Sequence, residues 1–368
     1  MFIKNEIYRN DLDQAIEATP GFIQLYGKSF LITGATGLLA SFIIDMFMYA
    51  NIKYHADITV YALGRSKQRL DTRYASYKSQ KIYKNQKPYK NSSRITYVIQ
   101  DVCDPLKLTQ RVDYILHAAG DGYPAAFHSH PVDTMTPALF GTYHLLEYAK
   151  KYEAVRMLYI SSGEVYGQNT ENQKAFDESD SGYLDILNPR ACYPSAKRAA
   201  ETLCASFRQQ YGIDCVIARP GHVYGPNTFG GDNRASTQFI NDILQGKNIV
   251  LKSDGNQIRS YTYVADNASG LLTVLLHGKT NEAYNIAHQD VRVKISEFAK
   301  TAAEIGDRTC VFEHPDETEL AQRTPIHFAV LNSEKLQKLG WKGKYCLKDG
   351  IGHTLKIRKA VQKDYENI

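Results

Sequence analysis

Through the first two-thirds of the chain, short apolar runs alternate with longer stretches in which apolar residues recur every three or four positions. The short runs predict strands over residues 30–33, 58–63, 95–99, 114–117, 156–160 and 215–219, with helical segments between most of them. Such alternation predicts an α/β architecture, a parallel, doubly wound sheet with helices on both faces. Past Gly225 the elements shorten: a helix is expected over 235–245, strands over 249–251 and 260–264, and helices over 267–277 and 295–305. The chain therefore divides into an N-terminal extension without an assigned task (1–28), a sheet domain (29–225) and a region forming mainly a smaller lobe (226–368), with segments crossing between lobes.

Between the first apolar run and the first long helical stretch lies Thr33-Gly34-Ala35-Thr36-Gly37-Leu38-Leu39-Ala40. In a phosphate-binding turn, Gly34 permits the bend, Gly37 lets a pyrophosphate approach bare backbone at the positive helix end, and Ala40 lets helix and strand pack closely. A lone GxxGxxA also suits an ordinary strand-to-helix turn, and its place after the first hydrophobic strand favours a dinucleotide. A second feature, Tyr193-Pro194-Ser195-Ala196-Lys197, opens the amphipathic stretch 196–211 and follows a strand ending in Ser161-Ser162. The same Tyr-to-Lys spacing occurs at Tyr49/Lys53, Tyr74/Lys78, Tyr77/Lys81 and Tyr83/Lys87. Context selects Tyr193/Lys197, and the other pairs are expected to be solvated surface residues. On a helix Tyr193 and Lys197 share a face, where an ammonium is expected to lower the phenol pKa from about 10.

Ile32 to Ser41, Asp101-Val102, His117-Ala118-Ala119, Gly141-Thr142, Ser161 to Gly167, Tyr193 to Glu201, Arg219 to Pro226, Asp254 to Asp266, Ala283 to Ile286 and Leu339-Gly340-Trp341 form an ordered series. In that order they resemble the extended short-chain dehydrogenase/reductase family, in its NAD-dependent branch acting on nucleotide sugars: epimerases, 4,6-dehydratases and glucuronate decarboxylases. The resemblance implies a Rossmann-type sheet with a smaller C-terminal substrate-binding lobe. NAD would be held by Gly34, Thr36, Gly37, Leu38, Leu39, Arg65, Asp101, Val102, Ala118, Ala119, Tyr193 and Lys197. Tyr193 would be the catalytic base, Lys197 would tune it and hold the nicotinamide ribose, and Ser162, selected by the following Val165-Tyr166-Gly167, would bond the same sugar hydroxyl. Glu164 would stand beside the sugar C5–C6 region. Arg234 and Arg259 would grip the diphosphate of a nucleotide-diphosphate sugar, and Arg323 would lie near the sugar. Helices over 137–151 and 196–210 would pair in a homodimer.

Departures from the family pattern keep the chemistry open. Gly163 stands where related dehydratases place Asp and decarboxylases place Ser, and Ala138 stands where relatives carry Asn. His222 replaces another Asn, and its imidazole either bonds the diphosphate, becomes cationic beside it, or is a loop residue. Asp101 reads as an adenine contact or a turn cap. After the second strand comes Ala62-Leu63-Gly64-Arg65-Ser66, without the acid that NAD users commonly present to the ribose, so Arg65 raises NADP as an alternative to NAD. The first reading is an enzyme that oxidises a nucleotide-linked hexose at C4 and then decarboxylates, dehydrates or epimerises it, with the UDP-glucuronate decarboxylase type foremost. An NADP-dependent keto-sugar reductase and a non-catalytic dinucleotide sensor are the alternatives.

Composition changes this picture little. With 43% hydrophobic and 23% charged residues, the 368-residue chain has the balance of a globular protein with a substantial core. A formal charge of +5 suits an anionic small molecule. The basic stretch 78–94 reads as a solvated insertion, so no nucleic-acid partner is expected. Six scattered cysteines read as reduced thiols, and the N-terminus lacks a signal-like apolar run, which gives a cytoplasmic expectation with no membrane partner. No ligand spacing for a metal occurs, and none is expected.

Overall fold

The computed structural model describes residues 2–78, 94–168, 174–228, 232–313 and 326–366. All six expected strands form: β1 (Ser29–Thr33), β2 (Thr59–Gly64), β3 (Ile95–Ile99), β4 (Tyr114–His117), β5 (Arg156–Ile160) and β6 (Cys215–Pro220). Beyond them come β7 (His222–Tyr224), β8 (Ile249–Leu251), β9 (Ile258–Tyr263) and β10 (Ala283–Ile286). β10 returns to the main sheet, whose order is β10-β6-β5-β4-β1-β2-β3, parallel throughout. The order reverses between β1 and β4, which opens a crevice at the carboxyl ends of those strands. The sheet thus draws its seventh strand from the C-terminal part of the chain, one of the crossings expected past residue 225. In the smaller lobe, β9 pairs with β7, with β11 (Arg292–Lys294) and with β13 (Phe328–Ala329), while β8 pairs with β12 (Cys310–Phe312).

Helix Leu38–Tyr54 is apolar around most of its circumference, with both Phe42 and Phe47 fully buried. One side rests on the sheet, and the N-terminal extension covers another. Within that extension, helix Glu6–Glu17 starts at Asn5, whose side chain accepts from Tyr8 N, and buries Tyr8, Leu12, Ala15 and Ile16. It also buries Asp11, whose carboxylate accepts from Tyr263 Oη (2.6 Å) and Tyr345 Oη (2.9 Å) and meets His353 Nδ1 at 2.8 Å. The extension therefore ties β9 to the C-terminal helix Leu347–Glu366.

A second buried carboxylate, Asp45, accepts from Tyr8 Oη (2.6 Å) and Tyr77 Oη (2.8 Å) and from both terminal nitrogens of Arg73. Beside Arg73, Tyr74 Oη donates to Ala35 O in the glycine turn at 2.5 Å. This corrects the reading of the competing Tyr/Lys pairs as solvated surface. Tyr74 and Tyr77 are buried, as is Tyr49, whose hydroxyl donates to Asp13. Their hydroxyls satisfy carboxylates and a carbonyl that burial would otherwise leave unpaired. Tyr83, Lys81, Lys87 and most of the basic stretch lie outside the described residues.

His353 has its pKa raised by its hydrogen bond to Asp11, against the opposing effect of burial. The folded chain keeps a proton that the unfolded chain releases near pH 6.5, so this contact stabilises fully below that pH and less as pH rises through the elevated folded value. Asp11→Asn is expected to lower stability by about 3 kcal/mol and to flatten the pH dependence above about 6.5, measured by denaturant unfolding at a series of pH values. An unchanged midpoint would remove the extension's structural role.

Candidate active site

A cleft of about 2010 Å³ runs along the carboxyl ends of the strands, from the glycine turn to β8. At the switch point, Thr33 Oγ1 accepts from the backbone N–H groups of Ala118 (3.2 Å) and Ala119 (3.1 Å) and lies 2.8 Å from His117 Nδ1. His117 Nε2 is 3.1 Å from Pro137 O, so the pattern assigns a neutral ring that donates from Nε2. Burial first, then the charge of Lys197, push its pKa down to about 3. Sequence reasoning found His117-Ala118-Ala119 as a pattern and missed this wiring. Gly34 has φ +63°, and a Cβ there would stand 2.8 Å from Ala118 O, so both conformation and space demand glycine. Gly37 caps helix Leu38–Tyr54 without a side-chain hydrogen bond and is exposed in the cleft. Bare backbone at a helix N-terminus is the environment a pyrophosphate needs.

Further along, the cleft is lined by Ser162, Glu164, Tyr193 and Lys197. Ser162 caps the short turn Gly163–Tyr166 by accepting from Glu164 N at 3.1 Å. Tyr193 and Lys197 lie one turn apart on helix Cys192–Tyr211, and Lys197 Nζ donates to Ile160 O at 2.7 Å. Burial pushes the Tyr193 phenol up to about 12; Ser162, Arg234 and Arg190 act to lower it, while Glu164 raises it. Lys197, itself desolvated, falls to about 8. In the free protein burial thus outweighs the lowering influences on the phenol. The ammonium sits 5.7 Å from the phenol ring centre and is committed to the Ile160 carbonyl.

Phe127, absent from the sequence reading, is an aromatic plate between two site residues. Tyr193 stacks on it with ring centres 4.7 Å apart, and the Arg190 guanidinium carbon lies 4.7 Å from its ring centre. Arg190 Nη1 in turn reaches Glu164 Oε2 at 3.4 Å, both side chains being about three-quarters buried. No periodicity in the sequence marks Phe127, because it joins the site only through the packing of helix Pro124–Ser129.

On the substrate side, Arg259 is buried and donates to the carbonyls of Ile258 (2.9 Å), His327 (3.1 Å) and Ile326 (2.6 Å). Arg234 is held by Asp232 through Nε and Nη2 and by Val223 O. His222 lies in the same wall, and burial, then Arg259 and Arg234, push its pKa down to about 3. In the free protein the ring is therefore neutral, with two guanidinium charges beside it. Asp101 accepts from Cys103 N at 2.9 Å and also lines the cleft, so it is a turn cap and a cleft residue together. Thr36, Leu38, Leu39, Arg65, Val102, Ala118 and Ala119 line the cleft as well. Arg323 lies outside the described residues. Among the described residues no helix is long and apolar enough to cross a membrane, and no group of metal-ligating side chains occurs.

A doubly wound sheet with a glycine turn at its switch point, and serine, tyrosine and lysine gathered farther along one cleft, defines an enzyme that works with a nicotinamide dinucleotide. Residues 30–287 match the NAD dependent epimerase/dehydratase family, and the chain belongs to it. It is 30% identical over 340 residues to UDP-glucuronic acid decarboxylase 6 of Arabidopsis thaliana, covering 90% of each chain. Over 354 residues it is 27% identical to human dTDP-D-glucose 4,6-dehydratase, covering 93% of each. The solved UDP-glucuronic acid 4-epimerase of Bacillus cereus, in complex with UDP-glucuronic acid and NAD, superposes with a TM-score of 0.73 at 22% identity, over 90% of this chain and 99% of that one. The cofactor of the family is NAD, and Gly34 and Gly37 fit it.

Lys197 carries a buried charge that the folded chain must desolvate. Lys197→Met is expected to keep the melting temperature equal or higher while lowering turnover by about 10²-fold or more, read from thermal melts and single-substrate kinetics on the same preparation. A variant with full activity would remove Lys197 from the site.

Proposed function

We propose that this enzyme binds a nucleotide-diphosphate hexuronate, oxidises it at C4 and releases the C6 carboxylate as carbon dioxide. The observation that carries this reading is the Glu164–Arg190 pair: the guanidinium lies against Phe127, the plate on which Tyr193 stacks, and the Glu164 carboxylate is paired to it. The relatives named as UDP-glucuronic acid decarboxylases support the same choice.

In this reading Arg259, held by three backbone carbonyls, grips the diphosphate, and neutral His222 and Arg234 complete that wall. Gly34 and Gly37 would hold NAD, which when bound would supply the acceptor for the C4 hydride and its later return. Tyr193 must first give its own proton to solvent, a loss that the positive charges of Lys197 and of a bound oxidised nicotinamide would favour; as phenolate it takes the O4 proton while the C4–O bond becomes a carbonyl, and Ser162 bonds the same oxygen. Lys197 holds the ribose side and keeps a positive charge beneath the phenol. With C4 a ketone, the C6 carboxylate is that of a β-keto acid. The C5–C6 bond breaks, its electron pair passes into the C4–C5 enolate, and carbon dioxide leaves. Arg190 orients the carboxylate before that step, and Glu164 holds Arg190 and governs the water that delivers a proton to C5. Tyr193 then gives its proton back to O4 as the ketone is reduced.

We also read segments 137–151 and 196–210 as a homodimer face, along which Phe140 and Tyr143 are exposed. Light scattering showing a monomer would remove it.

Purified protein incubated with UDP-glucuronate, UDP-glucose and dTDP-glucose is expected to convert only the uronate, with a mass loss of carbon dioxide and no net change at 340 nm. Loss of water, or an unchanged mass with a shifted chromatographic peak, would replace this reading by dehydration or epimerisation. Turnover only with added NADPH and a keto-sugar would favour the reductase. Glu164→Gln is expected to lower kcat by about 10²-fold with a smaller effect on KM.

A further inference from the structure

In a doubly wound dinucleotide-binding sheet, the carboxyl end of the second strand faces the adenosine ribose. There an acidic residue receives the ribose hydroxyls, or an arginine accommodates a 2′-phosphate. Here β2 ends in Leu63-Gly64 and continues into Arg65-Ser66 with no carboxylate. Arg65, Ser66 and Arg69 all line the cleft at this end, both arginines being exposed. Arg65 Nη1 faces Asp101 Oδ2 at 3.9 Å, a charge contact beyond hydrogen-bond distance, and the Arg65 side chain is 73% exposed. The other oxygen of Asp101 accepts from Cys103 N, which holds that carboxylate to the β3 side. The charges of Arg65 and Arg69 fall on one region: Tyr123 feels both, opposing the rise in its phenol pKa that burial, Asp121 and Asp232 produce.

We propose that Arg65 and Arg69 form a subsite for the 2′-phosphate of an adenine dinucleotide, so that the enzyme takes NADP as well as NAD. A guanidinium fork matches phosphate oxygens with charge-assisted hydrogen bonds, whereas an unphosphorylated ribose meets no carboxylate here. Asp101, the carboxylate facing Arg65, already spends one oxygen on the backbone, which leaves both guanidinium forks exposed to a phosphate. Because the subsite is exposed, its attraction is screened by salt. The inference concerns the cofactor end of the cleft and stands whichever sugar is the substrate.

The test is calorimetric titration of the full-length protein, stripped of nucleotide, with NAD and with NADP at low and high ionic strength, in the absence of sugar nucleotide. NADP is expected to bind with a Kd no more than threefold above that of NAD, and to weaken more steeply with salt. In the Arg65→Ala/Arg69→Ala double variant the ratio of the two constants is expected to move toward NAD by at least tenfold. Competition by adenosine 2′,5′-bisphosphate is expected to exceed that by 5′-AMP in the unsubstituted protein and to lose that advantage in the variant. NADP weaker than NAD by more than threefold, equal salt dependence, or an unmoved ratio would overturn the subsite. Because these readouts require no turnover, their failure is distinct from a failure of the decarboxylase reading.

Discussion

The structure depends on how closely the ends of β1 and β4 approach at the point where the sheet reverses its order. Thr33 Oγ1 gathers the Ala118 and Ala119 amides and faces His117, which is anchored in turn at the Pro137 carbonyl. That stitching brings the Ala118 carbonyl so near Gly34 that a methyl group there would stand 2.8 Å from it. One wall of the cofactor crevice is thus fixed before any ligand arrives. The other wall is braced from outside: Asp45 collects Tyr8, Tyr77 and Arg73, and neighbouring Tyr74 holds the Ala35 carbonyl within the turn. Preorganisation of this kind reduces the ordering cost of binding a long, flexible dinucleotide.

Desolvation is the second organising effect, and it sets protonation along the cleft. It leaves Tyr193 protonated in the free protein, draws Lys197 down to about 8 and keeps His222 neutral beside two arginines. Arg259 answers its own burial with three backbone carbonyls, whose dipoles offset the charge only partly. A site so arranged is electropositive on its substrate side. It favours a dianionic diphosphate there, and it lets the few carboxylates present act as specific partners and not as a general field.

Much of this was legible in the chain. Short apolar runs bounded by polar residues have little choice but to be buried strands, and all six formed. The Tyr193/Lys197 pair stood out because it alone followed a strand ending in serines. What escaped was set by contacts distant in sequence. Ala283–Ile286 is too short to announce itself as a strand, and only its register beside β6 makes it one. The extension over residues 1–28 was left without a task, because the surface its helix covers is set by contacts distant in sequence. Tyr74, Tyr77 and Tyr49 looked solvated because their neighbours are polar, yet those neighbours include partners that make burial tolerable. Phe127 enters the site through tertiary packing alone. The carbonyl that holds Lys197 has no sequence signature either.

Gly163 turns a departure in sequence into a chemical argument. A Cβ at this position would lie 3.2 Å from Leu331 Cδ1 and 3.4 Å from Pro220 O, a tight contact in which Leu331 would have to yield by a few tenths of an ångström. The family resemblance implies an aspartic acid here in dehydratases, as the acid for the departing hydroxyl. With glycine in its place, elimination of water would need its acid from Tyr193 or Glu164. In the proposed reaction Tyr193 is engaged with the C4 oxygen, and Glu164 is tied to Arg190 in an ion pair. Carbon dioxide departs without being protonated. Decarboxylation of a β-keto acid needs the ketone, an oriented carboxylate and one proton for C5, and no acid at the leaving group. In the proposed reading, the turn Ser162-Gly163-Glu164 thus offers no acid at residue 163 for a departing hydroxyl, which suits decarboxylation of the C4 ketone better than dehydration.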